Sequence, residues 1–273
     1  MSESCSDNCK TCGQSCTDRR EPQSMLAAPN PASNIKKVIG IVSGKGGVGK
    51  SLVTSLLAAS FAKQGKRVGV LDADITGPSI PRMFGIEGKA TSCSDGLLPS
   101  VAMDGTKVIS TNLLLDDVTD PVVWRGPMIA GAVRQFWSDV AWGDIDYLFV
   151  DMPPGTGDVA LTVFQSLPVD GIVVVTSPQE LVGMIVAKAV KMAGSLEIPV
   201  VGLVENMAYF VCPHCNEKHF IFGESQVDIL AEEYGIAATA QIPTDPAIAA
   251  CCDAGQVDEV DSSWLKDIVA AIA

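Results

Sequence analysis

The chain has 273 residues, of which 47% are hydrophobic and 19% charged, and a formal net charge of −13. That size supports a sizeable core, as one large α/β domain or two small ones, and the apolar content excludes a disordered chain. The acidic balance excludes partners that need counterions replaced, so neither nonspecific nucleic-acid binding nor attachment to an anionic membrane is expected.

No apolar run approaches the roughly 18–20 residues that span a bilayer, and the first residues lack the basic start and apolar stretch of a secretory signal. A cytoplasmic, reducing location is therefore expected, where close-set cysteines read as metal ligands before disulfides. Cys5, Cys9, Cys12 and Cys16 crowd the start of the chain, and Cys212 and Cys215 form a pair. The scattered Cys93, Cys251 and Cys252 are expected to be small buried residues.

Residues 1–34 are polar and Cys-rich, and end in 21-EPQSMLAAPNPASN-34, whose prolines and small residues suit a flexible linker. They read as a tethered arm, followed by one domain over 35–273. In that domain the runs 38-VIGIV-42, 68-VGVL-71, 147-YLFV-150, 172-IVVVT-176 and 200-VVGLV-204 are almost continuously apolar. Parallel strands covered by helices on both faces have this pattern. A further strand is expected near 238–242, and helices over 50–64, about 127–140, 158–167, 179–195, 223–234, 246–254 and 262–272. Asp104-Gly105 between two extended runs predicts a small inserted β-hairpin over 97–111. Together these elements predict an α/β fold with a doubly wound, mostly parallel sheet that binds ligands at the carboxyl ends of its strands.

The segment 44-GKGGVGKS-51 lies between the first such strand and a helix, the context a phosphate-binding loop requires. There the backbone N–H groups of Gly44, Lys45, Gly46, Gly47, Val48 and Gly49 can turn inward around a polyphosphate. Lys50 neutralises β/γ charge and Ser51 is the expected Mg²⁺ ligand. Asp151, at the end of 147-YLFV-150, fits the carboxylate that supports Mg²⁺, and 152-MPPGTGD-158 fits a loop sensing the γ-phosphate. Asp72 and Asp74 end another strand at a spacing of two and project to one side. Asp74 is favoured for positioning the attacking water and Asp72 for support near Mg²⁺, although spacing alone does not separate the roles.

In 211-VCPHCNEKH-219, Cys212 and Cys215 are close enough to hold one soft metal centre. A tetrahedral or four-iron site needs four ligands, so the pair is half a site that a homodimer completes by symmetry. His214 and His219 offer another completion, a mononuclear zinc site within one chain. The segment Cys5-x3-Cys9-x2-Cys12-x3-Cys16 has ligands enough for a [4Fe–4S] cluster, and suits zinc or an unliganded transfer arm as well.

The loop 44-GKGGVGKS-51, with its early second lysine, resembles the deviant Walker A loop of the MinD/ParA/nitrogenase-iron-protein class of P-loop ATPases. Within that class, 142-WGDIDYLFVDMPPGTGD-158 and 204-VENMAYFVCPHC-215 resemble the Mrp (ApbC-like) iron–sulfur cluster carriers, over about residues 35–255. The resemblance implies an ATP-binding homodimer with weak, slow ATPase activity coupled to passing a [4Fe–4S] cluster to apoproteins, with cluster assembly proteins as further partners. It implies that Lys45 reaches the nucleotide of the other subunit, so that Lys45, with Lys50 and Asp74 as read above, is expected to take part in hydrolysis. It also implies that Asn206 recognises adenine, that 242-IPTDP-246, with Pro243 and Asp245, lies beside the base, and that Cys212 and Cys215 share the cluster with the partner's pair. The Cys-rich start departs from the common bacterial pattern and loosely resembles eukaryotic cytosolic relatives. The rival reading is a spatial-positioning ATPase of MinD/ParA type with a structural zinc at the Cys pair. Such proteins carry a basic terminal helix or surface, whereas 258-DEVDSSWLKDIVAAIA-273 has one lysine and reads as a packed helix.

Overall fold

The computed structural model describes residues 26–74, 77, 79–115, 126–155, 157–178 and 182–273. The chain opens with β1 (Ser33–Ile35), β2 (Val38–Ser43), α1 (Lys50–Lys63), β3 (Val68–Asp72) and a short α2 (Ile80–Met83). Two hairpins follow, β4 (Thr91–Cys93) with β5 (Gly96–Leu98), and β6 (Ser100–Val101) with β7 (Lys107–Ile109). Next come α3 (Gly126–Ser138), β8 (Gly143–Ile145), β9 (Tyr147–Asp151), α4 (Asp158–Ser166), β10 (Gly171–Thr176) and α5 (Val182–Ser195). The chain finishes with β11 (Val200–Glu205), β12 (Phe210–Val211), β13 (Lys218–His219), α6 (Val227–Tyr234), β14 (Thr239–Gln241), α7 (Pro246–Asp253) and α8 (Lys266–Ile272).

Eight strands form the main sheet in the order β14-β11-β10-β2-β9-β3-β7-β6, parallel except for the edge pair β6–β7. Alternation along each strand feeds two cores. In β2, Val38 and Val42 join the layer packed by α3, α4, α5 and α6, while Ile39 and Ile41 join the layer packed by α1, α7 and α8. Since both faces are covered, the strands read as unbroken apolar runs. Helix α1 is buried nearly all round, polar Thr54, Ser55 and Ser60 included, and Val53, Leu56, Leu57 and Phe61 are fully buried. The Phe61 ring packs 4.4 Å from Tyr147 and 5.5 Å from Phe149, centroid to centroid. Truncating such a ring to alanine costs about 3–5 kcal/mol.

The parallel arrangement puts Ser43, Asp72, Asp151, Thr176 and Glu205 on one edge of the sheet. That edge carries the site. The expected hairpin forms, with Ser100 opposite Val108 and Val101 opposite Lys107, but it is continuous with the main sheet through the pairing of β7 with β3. Residues 26–34 do not run free of the domain. Ala27 N–H donates to Ser166 O at 2.8 Å, the Trp137 indole donates to Ala27 O at 2.9 Å, and β1 pairs with β8. The packed chain thus begins before residue 35. Cys93 is exposed rather than buried, because the β4–β5 hairpin that carries it is exposed on that strand; Cys251 and Cys252 are half-buried.

Candidate nucleotide cleft and cysteine ribbon

The loop after β2 turns back onto the start of α1 through Gly47 (φ 79°) and Gly49 (φ 82°), both in the left-handed region that glycine adopts without strain. At Gly49 the lack of a side chain also makes room for Asn206, whose Nδ2 would lie 2.1 Å from a Cβ. Instead the Asn206 amide donates to Val48 O at 3.0 Å, tying the end of β11 to the loop. A cleft of about 260 Å³ opens over this loop, lined by Gly46, Gly47, Lys50, Ser51, Asp74 and Pro154 among others.

Beneath it the charged groups are already in contact. Lys50 Nζ lies 2.7 Å from Asp151 Oδ1 and 3.3 Å from Asp74 Oδ2, with Lys50 5% exposed and Asp151 fully buried. Asp151 also accepts from the hydroxyls of Ser51 (2.5 Å) and Thr54 (2.9 Å). Asp72 stands in register with Asp151 on the neighbouring strand and accepts from Ser110 Oγ at 3.0 Å and from the Asp74 backbone N–H at 3.1 Å. Burial, reinforced by the Asp151 charge, pushes its carboxyl well above the ordinary aspartate range, against the opposing pull of Lys50. The structure therefore brings Lys50, Ser51, Asp72, Asp74 and Asp151 into one cluster. Lys45 is half-buried at the start of the loop, where its carbonyl accepts from Ser43 Oγ at 3.0 Å.

A second, apolar cavity of about 320 Å³ adjoins the cleft through Leu52 and Met83, which line both. Asn206, Pro243 and Asp245 are on its wall, so the three residues expected beside a base share one pocket. The Asp245 carboxylate caps α7, accepting from Ala247 N–H at 2.8 Å. Cys252 lines the same cavity, and burial raises its thiol above the usual range.

Beyond Asn206 the chain passes through Met207 (φ 58°) into the β12–β13 ribbon, where Phe210 pairs with His219 and Val211 with Lys218. Cys212 N–H donates to Glu217 O at 2.9 Å, and Asn216 N–H closes the turn on Cys212 O at 2.8 Å. Backbone N–H groups of Cys215 and His214 directed at the Cys212 sulfur lower its pKa, favouring the thiolate. Cys212 Sγ, Cys215 Sγ and a ring nitrogen of His219 all lie within 4.8 Å of one another. Among the described residues this is the one such cluster of potential metal ligands.

A model of the ParA family, described as NUBPL iron-transfer P-loop NTPase, matches residues 34–273. The chain belongs to that family. It is 47% identical over 247 residues to an iron-sulfur cluster carrier protein of Methanocaldococcus jannaschii, spanning 88% of this chain and 85% of the relative. To one of Clostridium perfringens it is 46% identical over 234 residues, spanning 83% and 82%. A nucleotide-binding protein of Archaeoglobus fulgidus, solved in complex with ADP and with cobalt found in it, superposes with a TM-score of 0.78 at 46% identity, covering 85% of this chain and 91% of that one. The cell division ATPase MinD of Pyrococcus furiosus superposes with a TM-score of 0.57 at 19% identity, covering 86% and 96%, a likeness of fold alone.

As a family member the chain is a P-loop NTPase, and the cleft over residues 44–51 is where that fold grips phosphate. Several residues of the site were not singled out from the sequence. Thr54 reaches Asp151 from one turn beyond Lys50, and Ser110 reaches Asp72 from the end of β7. Leu52, Met83 and Cys252 wall the apolar cavity from three separate helices. Glu205, next to Asn206, is fully buried, and burial raises its pKa against the opposing pull of the Ser225 hydroxyl and the Gln226 backbone N–H. Cys5, Cys9, Cys12 and Cys16 lie outside the described residues. No helix among the described residues is long and apolar enough to cross a membrane.

Proposed function

We propose that the chain is an ATP-dependent iron–sulfur cluster carrier. Two copies hold a [4Fe–4S] cluster as cargo between Cys212 and Cys215 of each, and pass it to apoproteins while hydrolysing ATP slowly. The names of its relatives support this, and the observation that carries it is the hydrogen-bonded continuity between base pocket and ribbon. Ala208 N–H donates to Ile242 O at 2.9 Å and Thr244 N–H to Tyr209 O at 2.7 Å, so both walls of the pocket are tied to the root of the cysteine strand. A nucleotide that shifts Asn206 or 242-IPTDP-246 shifts the thiols with them.

In this reading ATP lies with its phosphates over 44–51 and its base beside Asn206 and Pro243. The oxygen donors Ser51, Asp72 and Asp151 fit Mg²⁺, a hard cation, and the like charges of Asp72 and Asp151 at adjacent strand ends are what a divalent ion relieves. Bound with the nucleotide, Mg²⁺ supplies charge neutralisation at the β/γ oxygens. Lys50 neutralises phosphate charge, Asp74 orients the attacking water, and Lys45 serves the nucleotide of the partner chain. The acidic, reduced-thiol chain works in the cytoplasm with apoprotein acceptors and cluster assembly proteins, and Cys5, Cys9, Cys12 and Cys16 hold a second cluster.

Anaerobic reconstitution with iron and sulfide tests the reading. In a background of Cys5→Ser, Cys9→Ser, Cys12→Ser and Cys16→Ser, about four iron and four sulfide per dimer are expected. They disappear in Cys212→Ala, and ATP speeds transfer to an apoprotein acceptor. A reconstituted protein that takes up zinc but no iron overturns the reading.

A further inference from the structure

The two histidines of the ribbon are equivalent in sequence terms, but strand register separates them. Side chains alternate across β12–β13. His219 pairs with Phe210, and Cys212 lies two residues beyond Phe210, so His219 and Cys212 share one face. The opposite face is occupied otherwise. There Lys218 Nζ sits 4.2 Å over the Tyr209 ring, and Phe220 packs edge-on to Tyr209 at 6.5 Å. The nearest cation of the ribbon is thereby turned away from the thiols. The turn that follows Cys212, with Asn216 at φ 59°, brings Cys215 back to the same face.

The spacing of the three donor atoms is informative. Donors to one tetrahedral zinc-type ion stand roughly 3.5–4 Å apart, given metal–sulfur and metal–nitrogen bonds of about 2.3 and 2.0 Å. Thiolates on different irons of a cubane stand farther apart, because an iron–iron edge separates them. Cys212, Cys215 and His219, all within 4.8 Å of one another in a single chain, are nearer the first arrangement. Two thiolates and an imidazole suit Zn²⁺, Fe²⁺ or Co²⁺ and discriminate against Mg²⁺ and Ca²⁺.

We infer that one chain alone holds a single soft divalent cation at Cys212, Cys215 and His219, with the fourth position open to water or an outside donor. The half-site is then a mononuclear site in the separate chain. Its relation to cargo rests on the carrier reading above: when a cluster bridges two chains, four cysteines ligate it and His219 is released. A cation at this site therefore competes with cluster loading.

Cobalt(II) is the probe, added anaerobically to the full-length chain carrying Cys5→Ser, Cys9→Ser, Cys12→Ser and Cys16→Ser. Its thiolate charge-transfer and tetrahedral ligand-field bands report the donor set. One cobalt per chain is expected at dilutions where sedimentation shows monomer. His219→Ala should weaken binding at least tenfold, and His214→Ala should leave it unchanged. Unaltered ADP binding by His219→Ala serves as the check on its fold. Saturation at one cobalt per two chains, or equal affinity in His219→Ala and its parent, overturns the inference. Cluster reconstitution separates the two readings, since His219→Ala is expected to load iron and sulfide as its parent does. Cobalt binding as described with no cluster uptake by the parent sinks the carrier reading alone, and cluster uptake with cobalt binding indifferent to His219 sinks this one alone.

Discussion

In the nucleotide cleft, Lys50, Asp151 and Asp72 are 5% exposed or less and sit at hydrogen-bond distance from their partners; in the cysteine ribbon, Cys215 is exposed in the turn and His219 on a strand two residues long. The cleft is built from the ends of long parallel strands, so its geometry is fixed by the whole sheet. The ribbon is held by its own turn and by two bonds at its root. Buried charges demand partners, whereas a metal centre that must be delivered demands reach. On the proposed carrier reading, the difference separates a preorganised resident site from a transit site, and it predicts that the two fail independently.

The widest separation is expected from Cys212→Ser with Cys215→Ser. Iron and sulfide at the ribbon should fall to background, while the thermal midpoint moves by no more than a surface change of about 0.5 kcal/mol allows. Calorimetry beside metal analysis reads both, and a large loss of stability would show that the ribbon is part of the core.

Lys50→Ala attacks the other side. ATP affinity should drop about 100-fold, and the apo fold should weaken by up to about 3 kcal/mol, because Asp151 keeps its hydroxyl donors but loses its cation. Lys45→Ala should bind ATP normally and lose hydrolysis; equal binding defects in the two variants would end the proposed division of labour. Gly49→Ala is milder. A left-handed alanine costs about 1–2 kcal/mol, and displacement of the Asn206 amide should weaken nucleotide binding about tenfold, leaving cobalt uptake at the ribbon intact. Isothermal titration with ADP and with cobalt distinguishes these outcomes.

Most of the cleft is legible in the sequence because each part sits where an apolar run ends. The strands carrying Ser43, Asp72 and Asp151 are all buried on both faces, and their residues announce it. The apolar cavity is less legible, since Leu52, Met83 and Cys252 meet only after three helices have packed. Helix α2, four residues long, and the exposed β4–β5 hairpin carry no periodic signal. Residues 26–34 look like linker by composition, yet Asn30 and Ala27 find fixed partners in Asp95, Trp137 and Ser166. At the ribbon the cysteines are plain in the sequence, but choosing between His214 and His219 requires the strand register.

The smallest effect tests whether the cleft is strained toward its ligand. Asp72 is buried beside Asp151, and its pKa in the folded chain lies above the ordinary 3.8. A raised folded pKa means that the stability linked to the protonated form is fully present below 3.8 and is lost as pH rises through the folded value. Near neutral pH the Asp72 carboxyl therefore costs stability relative to acid pH, and Asp72→Asn, which keeps the shape and the contact with Ser110, should melt a few degrees higher than the parent. That advantage should shrink as the pH is lowered toward 3.8. Mg²⁺ with nucleotide should reverse the order, because a divalent cation rewards the carboxylate and not the amide. A variant no more stable than its parent at neutral pH would mean that Lys50 and the neighbouring donors already compensate the charge. The cleft would then differ from the ribbon in burial but not in stored strain.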